Sequence, residues 1–149
     1  MSSRSDDKAA DIKKANGIPS SLEEVCKKGI VIPCVPISQF ESILKKIKKL
    51  LKNDALVIDV CSVKEYPVRL MKKILPQGTQ ILATHPIFGP DSAADSLKGR
   101  KIVLCKIRIP DVKYEKIKAY LKKKGLAIIE STPKKHDEEI AKSLVLTHF

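Results

Sequence analysis

Short unbroken apolar runs alternate along this chain with stretches whose apolar residues recur at helical spacing. The runs Ile30-Val31-Ile32-Pro33-Cys34-Val35, Ala55-Leu56-Val57-Ile58-Asp59-Val60-Cys61, Gln80-Ile81-Leu82-Ala83-Thr84, Lys101-Ile102-Val103-Leu104-Cys105 and Leu126-Ala127-Ile128-Ile129 predict five strands. Pro33 has no backbone N–H to give a ladder, so it should mark a bulge or a strand end. Between the runs, helices are expected from about Asp6 to Asn16 with Gly17 as the stop, and as a capped turn at Ser20-Ser21-Leu22-Glu23-Glu24-Val25. Ser38 with Glu41 reads as a capping box opening a helix that turns Ile43, Leu44, Ile47, Leu50 and Leu51 inward. Pro67 opens the next, carrying Val68, Met71, Ile74 and Leu75. Two more follow, from about Val112 to Lys124 and from about Lys134 onward.

Strands that read as continuous apolar runs are buried on both faces, and their alternation with helices implies an α/β doubly wound, mostly parallel sheet with helices on both sides. Ligands of such sheets bind outside the carboxyl ends of the strands. Three consecutive strand ends here carry unusual residues: Pro33-Cys34-Val35-Pro36, Asp59-Val60-Cys61-Ser62 and Thr84-His85-Pro86. Parallel strands would place all three on one edge, with Ser62 and His85 in the same crevice. Pro86 pushes His85 toward extended geometry, so the imidazole should sit on a rigid strand tip. A histidine there is either a satisfied structural residue or a group that takes and gives a proton near neutrality.

Composition narrows the classes. With 149 residues and 43% apolar content the chain can bury a core, and no run approaches the roughly 20 apolar residues of a membrane span. The polar start Met1-Ser2-Ser3-Arg4-Ser5-Asp6-Asp7 does not resemble a signal peptide, so a cytoplasmic location is expected. Cys26, Cys34, Cys61 and Cys105 lack the paired spacing of a metal knuckle or redox motif and read as reduced core thiols; no metal is expected. The net charge of +12 raises the alternative of a non-catalytic basic module for nucleic acid. Its distribution argues against that. The cations are mostly lysines on helix faces, such as Lys45, Lys46, Lys48, Lys49 and Lys52, and aromatics make up only 4%.

Taken together, Val57-Ile58-Asp59-Val60-Cys61-Ser62-Val63-Lys64, Thr84-His85-Pro86-Ile87-Phe88-Gly89-Pro90, His136-Asp137 and Leu146-Thr147-His148-Phe149 resemble the prephenate and arogenate dehydrogenases of tyrosine biosynthesis. The resemblance covers nearly the whole chain, and it fits another hydroxy-acid dehydrogenase of the same fold poorly. It implies NAD(P)-dependent oxidative decarboxylation of prephenate or arogenate, with His85 accepting the ring hydroxyl proton and Ser62 orienting it. It implies further that His148 and Gly89 border the small-molecule substrate, and that Val35, Pro36 and Ser62 border the cofactor. Ser3 and Arg4 then fall where the adenosine ribose lies; an arginine accommodates a 2′-phosphate, so NADP is expected before NAD, unless Arg4 is simply solvated. Leu144 stands where the family carries Gln or Ser.

The same resemblance divides the chain into an incomplete Rossmann-like domain, 1–131, and the first helix of a helical dimerisation and substrate domain, 132–149. The family's first βα unit, with its glycine-rich turn, precedes the matching region. The expectation is therefore a fragment, inactive alone, of an enzyme that is a homodimer when complete.

Overall fold

In the computed structural model the described residues are 7–89 and 91–147, with side chains described from 9 to 142 apart from residue 90. Five strands, β1 (Ile30–Val31), β2 (Leu56–Asp59), β3 (Gln80–Pro86), β4 (Lys101–Arg108) and β5 (Ala127–Glu130), form one sheet in sequence order. The helices are α1 (Asp7–Lys14), α2 (Leu22–Cys26), α3 (Ile37–Ile47), α4 (Glu65–Ile74), α5 (Asp111–Lys123) and α6 (Pro133–Thr147). Strands β1, β2 and β3 are parallel, β4 runs antiparallel to β3, and β5 is parallel to β4. The reversal follows from the connection: the described residues between 87 and 100 contain only a single 3₁₀ turn, Asp91–Ala93, and a parallel return would need a crossover. The mostly parallel Rossmann-like sheet is thus as expected, and its carboxyl edge belongs to β1, β2 and β3 alone.

Period-2 alternation divides the strand residues between two cores. Val57, Ile81, Ala83, Val103 and Cys105 pack with Cys26, Phe40, Leu44, Ile47, Val68 and Met71 from α2, α3 and α4. Leu56, Leu82, Ile102 and Leu104 face the other way, against Tyr114, Ile117 and Leu121 of α5. Helices therefore cover both faces.

Local chemistry departs from the sequence reading at a few points. Only Ile30 and Val31 pair in β1, because Pro33 ends the ladder. The capping box is at Ser21 and Glu24 of α2; α3 starts from Pro36, whose fixed φ of −53° sets the entry, so Ser38 lies inside the helix and caps nothing. Asn16, not Gly17, takes the left-handed position that stops α1, at φ 57°. After α5, Gly125 adopts φ +88°, and a Cβ there would come within 3.0 Å of the Lys98 Cα. Cys26 and Cys105 are buried as expected, but Cys34 is exposed, since the chain has left the sheet before reaching it.

Candidate functional site

Asp59 closes β2 with no exposure, and a buried carboxylate needs a partner. Lys64, equally buried, supplies it: its ammonium pairs with Asp59 Oδ2 and donates to the Thr84 carbonyl at 2.5 Å. Asp59 Oδ1 accepts from the Cys61 amide at 2.7 Å, and the Thr84 hydroxyl donates to the Asp59 carbonyl at 2.7 Å. These bonds tie β2 to β3 at their carboxyl ends and pin the residue immediately before His85.

His85 sits one residue before the end of β3, opposite Val103 of β4. Its Nδ1 is 2.9 Å from Nε2 of His136, and the two rings meet edge to face with centroids 5.1 Å apart. His136, only 2% exposed on α6, places Nδ1 2.7 Å from Asp137 Oδ1. The Asp137 carboxylate also accepts from the Lys64 amide at 2.7 Å and the Glu65 amide at 2.9 Å. Lys64, the N-cap residue of α4, makes no side-chain cap of its own. A carboxylate from α6 therefore caps α4, where the helix dipole favours an anion.

The electrostatics follow. Burial, with help from His136 and Lys64, outweighs Asp59 and Asp137 and holds the His85 imidazole below its ordinary value, neutral at neutrality. Burial alone would raise Asp137, but the Glu65 amide, the His136 ring and the Lys64 amide together hold it below the usual carboxylate range. Burial and Asp59 push the Cys61 thiol up to about 12, which disfavours a thiolate there.

The other sequence candidates are placed as follows. Ser62 lies exposed just beyond β2, on the same strand edge as His85, but among the described residues no hydrogen bond joins the two; the ring nitrogen is held by His136. Gly89 is exposed in the turn after β3, bonded both ways to the Ser92 hydroxyl. Val35 packs partly against the core beside exposed Pro36 at the start of α3. Ser3, Arg4 and His148 lie outside the described residues. Among the described residues no group of three or more His, Cys, Asp or Glu side chains could hold a metal ion, and no helix is long and apolar enough to cross a membrane.

Sequence reasoning gave no structural role to Lys64, His136 or Asp137. A usable signal existed for two of them: Asp59 inside an apolar run demands a cation nearby, and His136 with Ile140 recurs at i,i+4 within an otherwise charged helix start.

The model of the nucleotide-binding domain of prephenate dehydrogenase matches residues 2–130. The chain belongs to the prephenate dehydrogenase family. It is 37% identical over 125 residues to arogenate dehydrogenase 2, chloroplastic, of Arabidopsis thaliana, covering 80% of this chain and 35% of that protein. It is 30% identical over 158 residues to a probable arogenate/prephenate dehydrogenase of Methanocaldococcus jannaschii, covering all of this chain and 34% of the relative. The chain thus spans about a third of the length of these two relatives. Among solved structures, prephenate dehydrogenase from Aquifex aeolicus superposes with a TM-score of 0.70 at 25% identity, over 95% of this chain and 57% of that one. Synechocystis arogenate dehydrogenase superposes with a TM-score of 0.80 at 21% identity, over 93% and 52%, which shows a shared fold.

Proposed function

We propose that this chain is the nucleotide-binding and proton-accepting portion of a dehydrogenase that oxidatively decarboxylates prephenate or arogenate. The observation that carries the reading is His85: a neutral imidazole anchored through one nitrogen, at the carboxyl edge of three parallel strands, in a chain whose family match runs from 2 to 130. Such an imidazole can draw the proton from a substrate hydroxyl as electron density leaves the carbon that bears it.

A nicotinamide dinucleotide suits the same edge. The start of α3 has no side-chain cap, so its first backbone amides are available to an anion where β1 ends. A neighbouring structure of the A. aeolicus prephenate dehydrogenase, titled as a complex with hydroxyphenyl propionate and NAD+, superposes with a TM-score of 0.73 and lends support. When bound, the nicotinamide supplies the hydride acceptor. Val35 and Pro36 would border it, Ser62 would stand between it and His85, and Gly89 and His148 would border the substrate. Ser3 and Arg4 make NADP the preferred form of the cofactor, because a guanidinium suits a 2′-phosphate. The close of the family match at 130 and the opening of α6 at Pro133 support a boundary near 131 between a cofactor domain and a helical domain. A homodimer and a cytoplasmic location complete the reading, checked by sedimentation and by cell fractionation.

In an enzyme carrying this domain, His85→Asn lowers kcat by about 10²–10⁴ with KM nearly unchanged. Unchanged turnover overturns the reading. Arg4→Ala weakens NADP more than NAD in a fluorescence titration; equal losses remove the cofactor preference alone.

A further inference from the structure

His85 offers two nitrogens, and the chemistry proposed for it depends on which one carries the proton. The described contacts decide this from the far end. The Asp137 carboxylate only accepts, and it cannot turn away, because both its oxygens are held by amides at the start of α4. Its Oδ1 therefore takes the proton on His136 Nδ1, 2.7 Å away. A neutral His136 then has only a lone pair at Nε2, so the 2.9 Å contact to His85 Nδ1 needs its proton from His85. His85 Nε2 is left bare, and among the described residues it has no hydrogen-bond partner.

We propose that His136 and Asp137 are positioning residues that fix His85 as its Nδ1–H tautomer and so make Nε2 the proton-accepting atom. The use made of Nε2 rests on the dehydrogenase reading; the assignment of the tautomer does not. A histidine free in water prefers the opposite tautomer, with the proton on Nε2, so the protein must hold the ring in its less favoured form. It holds it through backbone-set positions: His85 within the β3–β4 ladder, its preceding carbonyl fixed by Lys64, and His136 in the first turns of α6 with its amide bonded to the Thr132 carbonyl at 2.9 Å. When Nε2 accepts a proton, the charge on His85 is shared toward His136 and faces the Asp137 carboxylate. An acceptor built this way needs no rearrangement as it becomes charged.

The test is a long-range ¹H–¹⁵N correlation spectrum of the histidine rings in the uniformly labelled 149-residue chain near neutral pH. The expected result is His85 protonated at Nδ1, with a shift toward the Nε2–H form in His136→Phe, which keeps an aromatic ring at this position and removes the acceptor. Protonation of His85 at Nε2 in the native chain, or an even mixture, overturns the proposal; it would mean that His136 is doubly protonated and donates through Nε2. An Nδ1–H ring that persists in His136→Phe also overturns it. The backbone amide spectrum shows whether that variant is folded. If it is not, Asp137→Asn takes its place, leaving an oxygen for the α4 amides while removing the charge that orients His136, and the same shift is expected. His85→Asn turnover tests the function and the ring tautomer tests this inference, so either can fail alone.

Discussion

Two polar networks lie on opposite parts of this sheet, and they differ in what would replace each contact if it were lost. The first joins Asp59, Lys64, Thr84, His85, His136 and Asp137, with the side chains of Asp59 and Lys64 fully buried and partners up to 73 residues apart. The second joins Tyr114, Lys118, Glu115 and Glu130 around α5 and β5: Tyr114 donates to Glu130 at 2.7 Å, and Lys118 reaches Glu130 at 2.8 Å and Glu115 at 3.1 Å. Its members are at most 16 residues apart, and the Glu115 and Glu130 side chains are 63% and 53% exposed. Water can substitute for a lost bond in the second network. It cannot reach Asp59 or Lys64 in the first, so the loss of either leaves a stranded charge.

The contrast is most sharply broken or upheld at Lys64. Lys64→Ala leaves the Asp59 carboxylate buried with no cation, and urea unfolding should show a loss of about 3–5 kcal/mol. A loss under about 1 kcal/mol would put the buried pair in the class of surface pairs and erase the distinction. Asp137→Ala comes next. It removes the carboxylate that caps α4, and about 1–2 kcal/mol should be lost, the range of an N-cap deletion. Asp137→Asn should lose less.

Mild acid gives a smaller effect with a definite sign. His85 is depressed in the folded chain by burial, His136 and Lys64, against the pull of Asp59 and Asp137. The unfolded chain therefore binds this proton first, and stability falls as pH drops below the ordinary histidine value of about 6.5 toward the depressed folded one. In a series of urea unfolding curves the His85→Gln variant should show a flatter slope across that window. An equal slope would mean that His85 is not desolvated.

The smallest effect belongs to the second network. Lys118, then Tyr114, hold the Glu130 carboxyl below its usual range, so what it contributes is lost only as pH falls beneath that range, and solvent screens it. Glu130→Gln should leave the unfolding midpoint at neutral pH nearly where it was. A drop comparable to that of Lys64→Ala would show that exposure is a poor guide to which network matters.

The two networks also differ in how far they could be read from sequence. Tyr114, Lys118 and Glu130 sit on elements whose extents were legible, because α5 carries its apolar residues at helical spacing and β5 is a continuous run. His85 was legible as a strand-tip residue, since Pro86 forces extended geometry and three parallel strands share one edge. The bond from Ser62 to His85 was not found, because proximity along an edge does not specify which side chain turns inward. His136 and Asp137 carry part of the family resemblance, but Lys134-Lys135-His136-Asp137-Glu138-Glu139 has the composition of a solvated face and gives no sign of their contacts with His85 and α4. The direction of β4 was equally hidden. An apolar run such as Ile102-Val103-Leu104-Cys105 fits either orientation, and the choice was made by the lack of a crossover helix before it.

The Asp137 cap on α4 also sets an order of events. In a chain made from its amino terminus, the start of α4 is made some 70 residues before Asp137, and until then no carboxylate from α6 is there to take its first amides. The same helix, α6, brings both the cap for α4 and the ring that holds His85. A domain cut short of residue 136 thus lacks the histidine pair as well as the cap.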